Sequence, residues 1–357
     1  MTVHNPPTER GSDTPPDTGV ALRRRRAMRA LGLAASLVAF AAAVAASISI
    51  GSRDIPLDLV WQALTGTAPA GSTDAIVVLD ARLPRTVIAI AAGLGLGVAG
   101  ALIQAVTRNP LADPGILGVT SGSAFAVAIA VGVLGVTSVQ GYLWFAFAGA
   151  LVTTVVVYVI GSTGRGGGSP VRLTLAGVAL GAVLSGIVSA MLLADPEGFA
   201  AMRAWESGSL EGRTWDAVLP VLPFIAVGAV IALLLSRSLN AVALGDDLAA
   251  ALGARVAVTR TVAVVAVSLL AGGATAIAGP IAFVGLMIPH VARWIVGPDQ
   301  RWIVAYSLLL GPVLLLCADV LGRVVLRPGE LPAGIVTACL GAPVLIALVR
   351  RQRAFGL

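Results

Sequence analysis

Lysine is missing from all 357 residues, so the 24 basic side chains are all arginine. That absence excludes a Walker A loop, whose lysine holds the phosphates, and a Schiff-base cofactor site. Any ATP coupled to this chain must be handled by a partner. Histidine and cysteine are nearly missing as well: His4, His290, Cys317 and Cys339 are the full set, too few for a metal cluster or a disulfide framework. Both cysteines lie in apolar runs and are expected to pack as small hydrophobes. Charge is scarce, at 12% of residues against about 25% in ordinary soluble domains. What is abundant is apolar: 57% of the residues are hydrophobic and the mean hydropathy is +0.93, the composition of a membrane protein. A pI near 10.5 would suit a nucleic-acid partner, but the arginines are scattered between apolar runs, so none is expected.

Residues 1–22 are rich in Pro, Thr, Asp and Gly and cannot bury enough apolar surface to fold. A disordered cytoplasmic tail is placed at 1–26. Arg23 to Arg26 and Arg29 precede an apolar run from Ala30 to Ile50, which is longer than a signal h-region and reads as an uncleaved first helix. Nine further apolar segments follow: Pro84 to Val106, Val119 to Val136, Tyr142 to Gly161, Val171 to Ala194, Trp215 to Ser236, Ala257 to Ile277, Pro280 to Val296, Trp302 to Leu321 and Pro332 to Val349. At about 20 residues per helical span, ten crossings need roughly 200 residues. They fit into an all-α polytopic domain over 27–353, with a short tail at 354–357.

Cytoplasmic loops gather arginine, which tests the orientation. With ten spans and both termini inside, Arg53, Arg82, Arg85, Arg203, Arg213, Arg323 and Arg327 fall outside and the other 17 arginines inside. The opposite orientation reverses the ratio. Of the 42 glycines, many recur within spans at four-residue spacing, such as Gly93/Gly97 and Gly177/Gly181, which lets helix backbones approach closely in lipid. Arg85-Thr86-Val87 in the second span is echoed by Arg260-Thr261-Val262 in the seventh, with Gly97 and Gly272 at the same offset. The two spans run oppositely in this topology, as an inverted repeat would require.

Ionisable residues inside the hydrocarbon are costly. Only Asp319 and Arg323 intrude clearly, and four residues apart they share a helix face. A structural pair and a functional one remain equal readings. One paired aspartate is a poor proton relay, which disfavours a secondary carrier, and no nucleophile and base constellation suggests a membrane enzyme. His290, near the cytoplasmic end of span eight, reads as a packing residue. The cytoplasmic stretch 237–256 holds a short helix, with Asp246 as a plausible N-cap, Leu248 and Leu252 on one face, and Gly253 to end it. It either packs on its own bundle or docks a partner.

Several motifs together resemble one family. They are Arg82-Leu83-Pro84-Arg85; Asn109-Pro110-Leu111-Ala112-Asp113-Pro114; Leu173-Thr174-Leu175-Ala176-Gly177; Ala243-Leu244-Gly245-Asp246 with Leu252-Gly253; Gly279-Pro280-Ile281-Ala282-Phe283-Val284-Gly285-Leu286 with Pro289-His290; and Glu330-Leu331-Pro332. In this order and spacing the chain resembles the FecCD family, the permease subunits of ABC importers for iron-siderophores, haem and cobalamin. The resemblance implies the fold of the cobalamin-importer permease, a second permease copy or paralogue around a central path, two ATPase subunits below, and a substrate-binding (lipo)protein outside. It implies that Leu244, Gly245, Asp246, Asp247, Leu248, Ala249, Leu252 and Gly253 couple to the ATPase. By the same resemblance Arg82, Arg85 and Arg323 dock the binding protein, with Asp319 in support. Ser162 and Thr163, in the Gly161 to Pro170 loop, would lie near a gate, and Leu175, Gly177, Leu180, Gly181 and Leu184 would line the path. No cofactor is expected on this chain, since ATP and Mg belong to the partner. The cargo expected first is a ferric siderophore, with cobalamin and haem behind it.

Overall fold

The computed structural model describes residues 18–136, 138–163, 170–197, 199–327 and 329–354. Fifteen α-helices and no strands are found among them. Helix α1 (Thr18–Ser49) is followed by a short α2 (Leu57–Thr65). Then α3 (Thr73–Ile76), a π-helical turn (Val77–Arg82) and α4 (Leu83–Thr107) run on as a single rod. A loop with a 3-10 turn (Pro114–Leu117) leads to α5 (Val119–Gly132), α6 (Val139–Ser162) and α7 (Pro170–Ala194). The short α8 (Ala200–Glu206) and α9 (Trp215–Val218) precede α10 (Leu222–Val242) and α11 (Asp246–Ala251). The chain closes with α12 (Val256–Ala278), α13 (Val284–Val296), α14 (Gln300–Val325) and α15 (Ala333–Ala354).

Seven of the described helices are long and apolar enough to cross a membrane: α1, the α3–α4 rod, α6, α7, α10, α12 and α14. Three shorter apolar helices, α5, α13 and the first part of α15, occupy the remaining apolar segments. Two boundaries differ from the sequence expectation for a backbone reason. The segment predicted from Trp215 to Ser236 divides into α9 and α10, because Pro220 and Pro223 remove two donors and interrupt the ladder. The segment predicted from Pro280 becomes helical only at Val284, after Gly279 at φ 77° and Phe283 at φ 69° turn the chain. Helix α1 begins at Thr18, so residues 18–26, assigned to a disordered tail, are helical; residues 1–17 of that tail and 355–357 of the C-terminal one lie outside the described residues. Both cysteines sit on exposed faces of α14 and α15 rather than in the core.

The centre of the bundle is α4 and α12, whose apolar windows are 83% and 78% buried, while α1 and α7 stand at the periphery with 17% and 11%. Glycine puts α4 there. A Cβ on Gly93 would reach 2.5 Å from the Gly311 carbonyl of α14, and one on Gly100 would overlap the Gly285 carbonyl of α13. Only bare backbones approach so closely, which is how helices pack in lipid, where no hydrophobic drive brings them together. Arg108, which caps the C-terminus of α4, and Arg260, near the start of α12, both reach Asp246. The two central helices therefore run in opposite directions, as the echo between them requires.

Candidate functional site

Charged contacts gather at the two ends of the bundle. At one end, the last carbonyls of α1 have no partner within their own helix, and arginines from other elements supply it. Arg82 donates to the carbonyls of Ile48 (3.0 Å), Ser49 (2.7 Å) and Arg53 (2.5 Å). Arg323 donates to those of Ser47 (2.7 Å) and Ile50 (3.0 Å), and Arg327 to that of Gly51 (2.8 Å). Cations at a helix C-terminus also meet its negative dipole end favourably. Beneath them Asp319, with no exposed surface, pairs with Arg323 of its own helix and with Arg85 of α4 at 2.7 Å. Arg85 also reaches Glu330 at 2.5 Å. Burial alone would raise the Glu330 carboxyl, but the adjacent Arg85 outweighs it and holds that group below the usual carboxylate range.

The three arginines expected to dock a partner, Arg82, Arg85 and Arg323, thus all make contacts within the chain. Arg82 and Arg323 are 5% and 1% exposed, with their guanidinium groups turned into the chain's own carbonyls. Arg85 has an 11% exposed side chain, and all three line a cavity of about 300 Å³ together with Arg53, Glu211, Arg213 and Glu330. Five of the seven arginines assigned to one side by the loop count, Arg53, Arg82, Arg85, Arg213 and Arg323, line this single cavity.

The opposite end is built around α11. Gly245, at φ 108°, precedes the helix, and no side chain caps it, so Asp246 is its first residue rather than the N-cap expected from the sequence. Its carboxylate pairs with Arg108 at 3.3 Å and Arg260 at 2.9 Å. Gly253, at φ 82°, follows the helix in the left-handed conformation that glycine adopts without a Cβ penalty. Ala249 is fully buried, whereas Leu244, Leu248 and Leu252 are 60%, 50% and 63% exposed. Leu248 lies within α11, and Leu244 and Leu252 flank it on either side, so the segment presents three apolar side chains that the chain leaves uncovered. Asp247 is exposed beside it.

Ser162 and Thr163 bond back to carbonyls of α6, those of Val159 and Ile160. Residues 164–169 of the same loop lie outside the described residues. On α7, Leu175 is 63% exposed and Leu180 packs against the core. Gly177 does not line an open side: it is buried, and a Cβ there would overlap the Ile116 carbonyl. Gly181 faces Ser121 of α5, and Leu184 is half-buried. His290 packs edge-on against Trp294, with ring centroids 5.0 Å apart. Glu330, Arg108 and Arg260 received no role in the sequence reading beyond motif and topology, because their partners lie far along the chain. Asp113, before the 3-10 turn, accepts from the Gly115 N–H at 2.8 Å, yet burial raises its carboxyl.

Comparison with known proteins agrees with this architecture. The chain is 50% identical over 328 residues to the ferric enterobactin transport system permease protein FepD of Escherichia coli (strain K12), covering 92% of this chain and 97% of that one. It is 40% identical over 309 residues to the probable siderophore transport system permease protein YfiZ of Bacillus subtilis (strain 168), covering 87% and 92%. A solved structure described as an inward-facing conformation of a metal-chelate type ABC transporter superposes with a TM-score of 0.78 at 28% identity, covering 89% of this chain and 98% of that one. The sequence profile of the FecCD transport family matches residues 38–351, and the chain belongs to that family.

Proposed function

We propose that this chain is the permease subunit of an ATP-driven importer that carries a ferric siderophore across the cytoplasmic membrane. The observation that supports it most directly is the α11 segment, a short helix with exposed Leu248 flanked by exposed Leu244 and Leu252, on a chain without lysine. The chain cannot build a Walker A site, so coupling to ATP requires a separate subunit, and the uncovered strip offers that subunit a surface. On this reading α11 faces the cytoplasm, all ten apolar segments cross the membrane, and both termini are cytoplasmic. The ATPase holds ATP and Mg, and a second permease copy or paralogue completes the path. At the outer end the binding protein meets Arg85 and Arg53 through the cavity they line, with Arg82 and Arg323 supporting that surface from beneath. Ion pairs at such a rim chiefly set orientation and encounter rate. The names of the relatives, which include ferric enterobactin and other iron chelates, support a ferric siderophore as cargo.

Uptake of radio-iron bound to enterobactin by iron-starved cells lacking this chain tests the proposal. Uptake is expected to fall to background on deletion and to return with the intact gene, but not with a gene carrying Leu248→Asp and Leu252→Asp. Unchanged uptake after deletion would contradict this cargo.

A further inference from the structure

The ion pairs of Asp246 lead beyond docking. Arg260, which it meets at 2.9 Å, belongs to α12, one of the two buried central helices and so a fixed post. Arg108, which it meets at 3.3 Å, occupies a different kind of place. It is one of two non-glycine residues with positive φ among the described residues, at φ 52°, and it turns the chain from the end of α4 into the loop of 109–117. That loop is braced along its length. The Asn109 side chain accepts from the Leu111 N–H at 3.0 Å, the Asn109 carbonyl from the Ala112 N–H at 3.1 Å, and Asp113 from Gly115 at 2.8 Å, with Pro110 and Pro114 restricting it further. Its far end is the Ile116 carbonyl, which lies directly on Gly177 of α7 in a contact that leaves no room for a Cβ. Helix α7 also packs on α5 and α6, yet stands at the periphery with 11% of its apolar window buried.

We propose that Asp246, Arg108 and the Ile116–Gly177 contact form a relay that carries displacement of α11 to α7. The inference rests on the reading that α11 meets an ATPase, and it assigns Asp246 and Arg108 as positioning residues. A movement of α11 against the post at Arg260 draws Arg108 with it, the braced loop moves as a unit, and its carbonyl shifts α7. Coupling then travels through contiguous contacts from α11 to α7, and its demonstration requires that both ends respond together.

The test uses the complex of this chain with its ATPase in lipid nanodiscs. Cys317 and Cys339 are replaced by serine, and an environment-sensitive fluorophore is placed on α7 through Ser185→Cys, an exposed position. ATP is expected to shift the emission of this parent. Arg108→Gln is expected to reduce the shift about fivefold or more, with the ATPase still bound and still hydrolysing, and Asp246→Asn to reduce it by a similar factor per bound ATPase. The double variant is expected to lose no more than either alone, because residues acting as a unit are non-additive, and Asp246→Glu is expected to restore the response. A full shift in either single variant would overturn the relay, as would a parent that binds the ATPase yet shows no shift. Release of the ATPase by Asp246→Asn would also overturn it, by making that residue a docking contact. A parent that never holds an ATPase would instead reject the functional reading on which the relay stands.

Discussion

Asp319 joins two guanidinium groups at a position with no exposed surface, and neither arginine has another carboxylate as close except Glu330 on Arg85. Removing one partner of a buried pair leaves an uncompensated charge and costs about 3–5 kcal/mol. Asp319→Ala is therefore expected to destabilise the chain by about that amount, read as a lowered midpoint in detergent thermal unfolding. A smaller loss is expected when Arg323→Met accompanies it. Glu330 adds a pH dependence with a definite sign. Its pKa is depressed in the folded state, so its contribution is fully present above the ordinary glutamate value of about 4.3 and is lost as pH falls through the folded value. The difference in unfolding temperature between the wild type and Glu330→Gln is expected to be constant near neutrality, to begin shrinking as pH falls below the ordinary glutamate value of about 4.3, and to vanish only below the depressed folded value. The Asp319–Arg323 pair was legible because i, i+4 spacing on a helix needs no tertiary knowledge. Arg85 stands 234 residues from Asp319 and 245 from Glu330, and one sequence carries no sign that these meet. The same distance explains why Arg82 and Arg323 looked like free docking charges: the carbonyls that hold them belong to the end of another helix.

The helices themselves show how composition sets position. Glycines on α4 permit contact with α13 and α14 at backbone distance, which makes that rod the axis of the bundle. Gly100→Ala is expected to cost about 3 kcal/mol, since its Cβ would press on a backbone carbonyl that cannot step aside. Gly186→Ala on α7, where a Cβ meets nothing within 4 Å, is expected to be neutral or to stabilise by up to about 1 kcal/mol through helix propensity. Comparison of the two midpoints checks both signs. Apolar segments as a class were legible, because a run of about 20 apolar residues is a length signal that tertiary contacts do not erase. Their ends were less so. Where proline or a left-handed residue breaks the ladder, as between α9 and α10 and before α13, hydropathy continues while the helix stops. Helix α11 was anticipated with its glycine stop, while whether its leucines pack on the bundle or face outward stayed open in the sequence, and its first aspartate turned out to bridge two arginines rather than cap the helix.

At the scale of the molecule, the fold is a bundle with two charged ends and an apolar middle, and the arginine count across loops anticipated which residues share an end. That regularity survives because it reflects insertion, which acts on the chain segment by segment. The end at Asp319 is tied together: arginines from α14 and the α4 rod hold the end of α1, and Asp319 braces Arg85 and Arg323. The other end leaves α11 uncovered, with only partly buried ion pairs holding it. One tightly cross-linked end and an uncovered helix at the other suit a subunit that takes force from one side. Capture of a tagged copy of this chain under mild crosslinking from iron-starved cells, followed by mass spectrometry, tests that account most directly. A P-loop ATPase is expected to be recovered with the wild type and lost with Leu248→Asp and Leu252→Asp, while the chain still inserts. Recovery of the folded chain with no ATPase, or equal recovery with both forms, would contradict it.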